Sequence, residues 1–421
     1  MNSFSLRHGT PLRSMLDGPR GETMVVAFAR VISASAALVV AAASARQLGP
    51  VGRGEIVFVV TVAILCTEFV NLGTNVSGRI EILRGMDTKI EDYLGLIVAL
   101  VGVQTVLVAT VLGIVGPTFF GSGVATCVIG VFLGAAMFLS HMLVDAAFAV
   151  RRTLQTGVRE LLTGLVPVVI VVPVAVAGGL SVELVLALTA LGYALGAVYL
   201  WGVVRSRSPK ARFDPRTWRP IVGKGLPVFA GSVGQSVALR ADRMLLGLLS
   251  TPAALGVFSV ASTTAELPRL LLLPATQVLS NRIASGDIPH GTLKRIMLRL
   301  GFGYSALMVL VAMTGAAVVI PVAGSGFSGI RDLIGVLALG EGLFGVFLIS
   351  TGVLAGLGMY RPLAVPGLFG AVVIVVVDLM VIPNHDEIGA AWVRVGGYGL
   401  MALMSLALVA SAIRPSTRVL R

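Results

Sequence analysis

The chain has 421 residues, of which 56% are hydrophobic and 12% charged, and its mean hydropathy is +0.95. Soluble domains carry about 25% charged residues, so this composition excludes a soluble globular protein and indicates an integral membrane protein. The net charge of +12 invites a nucleic-acid partner, but the positions of the basic residues reject that interpretation, as described below.

Twelve apolar segments are long enough to cross a bilayer as helices. They cover approximately residues 24–45, 54–78, 92–117, 122–149, 159–178, 182–204, 225–249, 254–278, 296–321, 331–357, 362–383 and 388–412. The sequence lacks ten-residue runs of alternating polarity, which disfavours an outer-membrane barrel. It therefore predicts an all-α membrane protein with about 12 transmembrane helices.

The longest connection between these segments, at residues 205–224, has six segments before it and six after it. It predicts two six-helix lobes, at residues 24–204 and 225–413, joined by a basic cytoplasmic linker at 205–224. A cytoplasmic segment at residues 1–23 precedes the first lobe, and a cytoplasmic tail at 414–421 follows the second. An even number of helices in each half gives both halves the same orientation in the membrane.

The basic residues are distributed unevenly between the two sets of loops. One set contains only Arg46, Arg53 and Arg331, whereas the termini and the other set contain most of the 32 Lys and Arg residues. Loops rich in Lys and Arg stay in the cytoplasm, so both termini and the linker are predicted to be cytoplasmic, in a multi-pass protein of the cell membrane. The same residues are expected to contact anionic lipid headgroups, and no nucleic-acid partner is predicted.

A weak repeat links the two halves. Pro50 and Gly54 stand between the first two segments, and Pro252 and Gly256 stand at the corresponding place in the second half. A Pro–Gly turn is common by chance. The repeat gains weight because buried polar residues concentrate in the helices that flank these two turns.

The seventh segment contains three ionised residues, Arg240, Asp242 and Arg243. A charge inside a membrane costs several kcal/mol, so it usually faces a water-filled cavity or a partner. The polar residues recur at helical spacing along one face, at Ser232, Gln235, Ser236, Arg240 and Arg243. This stripe indicates a helix that lines a path, with snorkelling to the interface as the alternative. Asp242 points away from both arginines and could pair with another helix.

Further polar residues lie in the first, second and eighth segments. The first segment contains Arg30, the second contains Glu68 and Asn71, and the eighth contains Glu266 and Arg269. Glu266 and Arg269 are three residues apart and could simply neutralise each other. Intramembrane carboxylates can also relay protons or bind sodium, so the candidates for H⁺ or Na⁺ coupling are Glu68, Asp242, Glu266, Glu341 and Asp378. The two cysteines and four histidines show no metal spacing, and no cofactor is expected.

Two stretches resemble polysaccharide-type flippases. The first is Arg46-Gln-Leu-Gly-Pro-Val-Gly-Arg-Gly-Glu55, followed by a span that ends Asn71-Leu-Gly73; the second joins Lys224-Gly-Leu-Pro227 to Arg240-Ala-Asp-Arg-Met-Leu-Leu-Gly247 and Ala254-Leu-Gly-Val-Phe-Ser-Val-Ala261. These flippases belong to the multidrug/oligosaccharidyl-lipid/polysaccharide superfamily, which includes O-antigen flippases and MATE exporters.

The resemblance implies two six-helix lobes, alternating access and a cationic central cavity for a polyprenyl diphosphate. Relatives of the peptidoglycan-precursor flippase use arginines in helices one and eight, the helices that contain Arg30 and Arg269 here. That subfamily usually has fourteen spans, for which this chain has no room. The predicted substrate-binding residues are Arg30, Asn71, Gln235, Arg240, Arg243 and Arg269.

The sequence therefore predicts a flippase for a polyprenyl-diphosphate-linked oligosaccharide, acting in surface polysaccharide biosynthesis. A MATE-type multidrug exporter and a non-transporting scaffold of a polysaccharide assembly complex remain open. A polysaccharide polymerase or glycosyltransferase would need catalytic residues on a sizeable outer loop, so the short outer loops argue against an enzyme. The expected partners are the lipid-linked glycan, membrane lipids and polysaccharide assembly machinery, and the sequence does not fix the oligomeric state.

Overall fold

The computed structural model describes residues 19–84, 89–119, 123–206, 211–327 and 329–413. These residues form helices and turns and contain no strand. The helices are α1 Pro19–Asn71, α2 Thr74–Leu83, α3 Ile90–Phe119, α4 Val124–Ala149, α5 Thr153–Val176, α6 Val182–Arg205, α7 Pro215–Leu249, α8 Pro252–Glu266, α9 Arg269–Ala284, α10 His290–Ala323, α11 Ile330–Gly356 and α12 Tyr360–Ile413, with a 3₁₀ turn at Ser325–Phe327. The predicted tail, most of the predicted N-terminal segment and linker residues 207–210 lie outside the described residues.

Eight helices within the described ranges are long and apolar enough to cross a membrane. Two of them contain apolar stretches of 48 and 49 residues, and a single crossing needs about 20. Both are bent: α1 at Gly49, whose φ is 65°, and α12 at Asp386, whose φ is 45°. Each therefore supplies two crossings, which we call its first and second arms. With α7 and the α8–α9 pair, the fold contains the 12 membrane helices that the apolar segments predict.

Some boundaries differ from the prediction. The second crossing ends at Asn71 rather than near residue 78, because Leu72 and Gly73 have positive φ angles and α2 starts afresh at Thr74. The linker is partly helical, because Asp214 accepts a hydrogen bond from the Arg216 amide at 3.0 Å and starts α7 at Pro215. The eighth crossing is interrupted at Pro268, between α8 and α9, because proline breaks the helical hydrogen-bond pattern.

The two Pro–Gly turns of the sequence repeat meet each other. Because the helices alternate in direction, one end of the molecule contains the described chain ends and the other contains the bends at Gly49 and Asp386; we call these the terminal end and the distal end. At the distal end, a Cβ on Gly54 would lie 1.8 Å from the Pro252 carbonyl oxygen. A Cβ on Gly256 would lie 1.8 Å from the Pro50 carbonyl oxygen. The two lobes therefore close against each other through a reciprocal contact that only glycine permits.

The lobes also contact each other towards the terminal end. Gly73 packs so closely against Gly225 that a Cβ there would lie 2.2 Å from the Gly225 carbonyl oxygen. Ser77 Oγ donates a hydrogen bond to the Ile221 carbonyl at 2.8 Å, and Lys224 Nζ pairs with Glu81 at 2.9 Å. In this arrangement α7 is in contact with the first lobe at the terminal end, while α8 is in contact with it at the distal end. The space between the lobes is correspondingly small.

Candidate substrate-binding site

Arg240 and Arg243 line a cavity between the two lobes. Its volume is about 140 Å³, and its other walls come from the second arm of α1 and from α8. The polar residues of α8 that line it are Ser259 and Thr263, and the second arm of α1 contributes Thr61. The stripe along the seventh segment therefore faces the other lobe at its two arginines. Gln235, further along that stripe, is half-buried and does not line this cavity.

A third arginine, Arg53, lines the same cavity. The sequence predicts Arg53 in a loop, and this prediction is wrong because α1 resumes at Pro50, a residue favoured at the first position of a helix. Arg53, Val57 and Thr61 are four residues apart, so they share one helical face, and all three line the cavity. The Nε atom of Arg53 is buried and has no hydrogen-bond partner among the described residues. Two features of the sequence could have identified Arg53 as a cavity residue: Pro50, which can start a helix, and the four-residue spacing of Arg53, Val57 and Thr61 after it.

Asp242 does not face the cavity but pairs with Arg394 of α12. The Arg394 Nε atom donates to Asp242 Oδ2 at 2.5 Å. Both side chains are almost completely buried, with 0% of Arg394 and 1% of Asp242 exposed. The guanidinium carbon of Arg394 also lies 5.1 Å from the ring centre of Phe258 and 5.7 Å from that of Tyr398. This ion pair fixes α7 against the second arm of α12 inside the second lobe.

Glu266, at the end of α8, lies between two arginines. It accepts a short hydrogen bond from Arg243 Nη2, and Arg394 Nη1 lies 3.2 Å from the same oxygen. Arg243 also donates to Ser262 Oγ at 2.9 Å. Arg243 therefore has two roles: its guanidinium belongs to the ion pairs of the second lobe, and the residue also lines the cavity between the lobes.

Arg269 has Glu341 of α11 as its main partner. Two hydrogen bonds of 3.1 and 2.7 Å join them in the bidentate geometry that favours arginine over lysine. The guanidinium carbon lies 4.9 Å from the ring centre of Phe344. The predicted i, i+3 contact with Glu266 is present but longer, at 3.7 Å. Arg269 is therefore neutralised chiefly from another helix, and it does not line the Arg53–Arg240–Arg243 cavity.

The ion pairs of the second lobe balance in charge. Arg243, Arg269 and Arg394 face three carboxylates, Asp242, Glu266 and Glu341. By contrast, neither Arg53 nor Arg240 has a carboxylate within 4.0 Å among the described residues. The arginines of this region that lack a directly bonded carboxylate are therefore the two at the cavity between the lobes.

Two of the remaining predicted residues have partners elsewhere. Arg30 lies 3.6 Å from Glu160 of α5, and 58% of its side chain is exposed. Asn71 is buried and accepts a hydrogen bond from the Asn75 amide at 3.1 Å, so its side chain supports the start of α2.

Glu68 is half-buried, and its charge acts on Arg240. Asp378 is completely buried, and neither of its carboxyl oxygens has a hydrogen-bond partner among the described residues. Within the same ranges no group of three or more His, Cys, Asp or Glu residues could hold a metal ion.

The fold and the cavity between the lobes define a multi-pass membrane protein built from two six-helix lobes with a cationic site at their interface. The family profile of polysaccharide biosynthesis proteins matches residues 21–283. Because this match covers more than half of the sequence, the chain belongs to that family. No curated protein matches the sequence.

Solved structures with a similar fold include two kinds of transport protein. The lipid II flippase MurJ in an inward closed conformation superposes with a TM-score of 0.74 at 12% identity, over 92% of this chain and 87% of that one. A multidrug-resistance MATE transporter of the MOP superfamily, in an inward-facing conformation, gives 0.69 at 14% identity, over 93% and 99%. A Vibrio cholerae MATE transporter gives 0.61 at 12% identity, over 97% and 99%. These similarities confirm the predicted fold of two helical lobes.

Proposed function

We propose that the protein is a flippase that moves a polyprenyl-diphosphate-linked oligosaccharide across the cytoplasmic membrane for surface polysaccharide biosynthesis. Its family membership and its structural likeness to a lipid II flippase support a lipid-linked glycan as substrate. The two lobes would expose the cavity between them to one side of the membrane and then to the other. The protein would act as a transporter rather than as an enzyme, with the lipid-linked glycan and membrane lipids as its partners.

The observation that carries this proposal is the presence, between the lobes, of two arginines that lack a bonded carboxylate. Arg53 and Arg240 line the cavity without carboxylate partners among the described residues. A diphosphate cannot carry its charge through hydrocarbon, but guanidinium groups can replace its hydration with charge-assisted, bidentate hydrogen bonds. A cationic drug, the substrate class of the rival exporter, would be repelled by the same cavity. The volume of about 140 Å³ suits a small anionic group, so the sugars would be admitted only when the lobes separate.

Coupling to H⁺ or Na⁺ remains part of the proposal, and we assign it to Glu68. Asp242, Glu266 and Glu341 are each held by an arginine, which leaves them little freedom to exchange a cation. Glu68 belongs to the second arm of α1, and its charge acts on Arg240 across the interface between the lobes. Arg240 would therefore transmit the protonation or sodium occupancy of Glu68 to a bound anion.

We expect Arg240→Gln and Arg53→Gln to reduce flipping, because each removes a charge-assisted hydrogen bond to the diphosphate. The loss should be about 1.5–3 kcal/mol, or roughly tenfold to a hundredfold in affinity. Lysine at either position keeps the charge but loses the bidentate geometry, so it should give an intermediate defect. The measurement is the amount of lipid-linked oligosaccharide that accumulates on the cytoplasmic face, at matched protein levels.

Arg331→Gln provides the control, since Arg331 is an exposed arginine at the start of α11 and does not line the cavity. It should leave flipping unchanged. Normal export by the Arg53→Gln/Arg240→Gln double variant would refute the anion site. Export of cationic drugs that persists in that variant would support the multidrug exporter, and unimpaired polysaccharide assembly without flipping would support the scaffold.

Both termini and the loop around residues 205–224 are expected to be cytoplasmic. Cysteines introduced at the exposed Ser206 and Ser325, after replacement of Cys66 and Cys127 by alanine, should react with a membrane-impermeant maleimide from opposite sides. In intact cells only the Ser325 site should be labelled. Labelling of Ser206→Cys in intact cells would contradict the proposed orientation.

A further inference from the structure

A second cavity adjoins the arginine site. It lies between the first arm of α1, α8 and α10, and its volume is about 250 Å³. Its walls are almost wholly aliphatic, with Leu38, Ala42, Val260 and Val319 among them. Two residues, Arg53 and Thr263, line both this groove and the arginine cavity. An apolar groove therefore ends at the guanidinium group that borders the cationic site.

We propose that this groove holds the part of the isoprenoid chain next to the diphosphate, while the diphosphate lies against Arg53 and Arg240. The inference rests on the proposed function and adds to it where the lipid is bound. The chemistry of the two cavities matches the two parts of such a molecule, since one is apolar and the other cationic, and Arg53 stands where they join.

The buried Nε atom of Arg53 is the independent observation that points to a ligand. This atom is inaccessible and has no acceptor in the described part of the chain, and the charge of another arginine, Arg243, acts on the same side chain. A buried donor without an acceptor is costly. A phosphate oxygen would supply the missing acceptor and would offset the repulsion from Arg243.

The dimensions of the groove favour a short branched chain. An apolar cavity of about 150 Å³ accommodates a benzene ring, so about 250 Å³ has room for the first isoprene units but not for a complete polyprenyl chain. Alanines at positions 41, 42 and 45 of the first arm of α1 line the groove and leave the space open. The rest of the chain would remain in the bilayer, since Val318 and Val322 of α10 line the groove and are exposed.

The test measures binding of farnesyl diphosphate and of inorganic diphosphate to the full-length protein in phosphatidylcholine nanodiscs. We expect farnesyl diphosphate to bind at least about tenfold more tightly, because burial of apolar carbons adds to the phosphate contacts. Ala42→Phe fills the groove and should reduce the affinity for farnesyl diphosphate to that for inorganic diphosphate, without changing the latter. Ala37→Phe adds the same ring to an exposed position of the same arm outside the groove, and it should change neither affinity.

The outcomes separate this inference from the proposed function. If inorganic diphosphate binds through Arg53 and Arg240 but the farnesyl group adds no affinity, the groove assignment is overturned and the anion site remains. If neither compound binds, the proposed function fails as well. Equal competition by phosphatidylglycerol would show a groove for any anionic lipid and would overturn the isoprenoid assignment.

Discussion

Asp242→Asn should destabilise the protein by about 3–5 kcal/mol, because it leaves Arg394 buried with an uncompensated charge. Asparagine preserves the shape of the side chain and removes only its charge. Three arginines would then face two carboxylates, Glu266 and Glu341, in a region where Arg394 is 0% exposed. The measurement is the thermal unfolding midpoint of the purified protein in detergent, followed by tryptophan fluorescence.

Asp378→Asn is the matched control for this variant. Asp378 is also completely buried in the second lobe, but its oxygens make no hydrogen bond within the described ranges. The same chemical change should therefore alter the midpoint little. The Asp242→Asn/Arg394→Gln double variant should recover most of the lost stability, since two arginines then face two carboxylates. Equal destabilisation by Asp242→Asn and Asp378→Asn would show that the ion pair contributes no specific stability.

The balanced ion pairs and the unbalanced cavity have different consequences for motion. The pairs of Arg394 and Arg269 join α7, α8, α9, α11 and α12 within one lobe, so that lobe is expected to move as a unit. The cavity residues Arg53 and Arg240 belong to different lobes. Separation of the lobes would therefore disperse the cationic site, and a bound diphosphate would hold the two sides together in the closed arrangement.

The sequence was sufficient to predict the membrane helices and the Pro–Gly repeat, because hydropathy and turn residues are local properties. It was insufficient for the ion pairs, since these depend on how each helix is rotated about its axis. Arg269 illustrates the difference: the residue three positions away is a predictable partner, but Glu341, 72 residues away, makes the bidentate contact. Asp242 was expected to pair with another helix, yet nothing local identified Arg394, 152 residues away, as its partner.

Arg53 and Asn71 show two further limits of sequence interpretation. The apolar run begins after Arg53 and so predicts a loop at this residue, whereas the helix begins at Pro50. The sequence predicts that Asn71 binds substrate, but its carboxamide supports the start of α2. In both cases the position of a helix end, which apolar runs define only to within a few residues, decides what the side chain can contact.

Gly54→Ala and Gly256→Ala should open the distal end and impair transport. Each added Cβ would lie 1.8 Å from a proline carbonyl oxygen of the opposite lobe, so the two turns must separate. Overpacking of this kind costs about 1–3 kcal/mol, which shifts a two-state equilibrium by roughly fivefold to a hundredfold. Transport should fall because the protein no longer returns readily to the arrangement in which the distal end is closed.

The opening can be followed with a cysteine at Ser259, which lines the arginine cavity and is 1% exposed. In a background without Cys66 and Cys127, a membrane-impermeant maleimide should modify Ser259→Cys roughly fivefold to a hundredfold faster when Gly54 or Gly256 is alanine. Gly113→Ala and Gly335→Ala are the controls, since a Cβ at either position would have no neighbour within 4 Å. Unchanged reactivity in a folded Gly54→Ala/Gly256→Ala variant would mean that the reciprocal contact is not the gate, because the turns would then have separated without admitting water to the cavity.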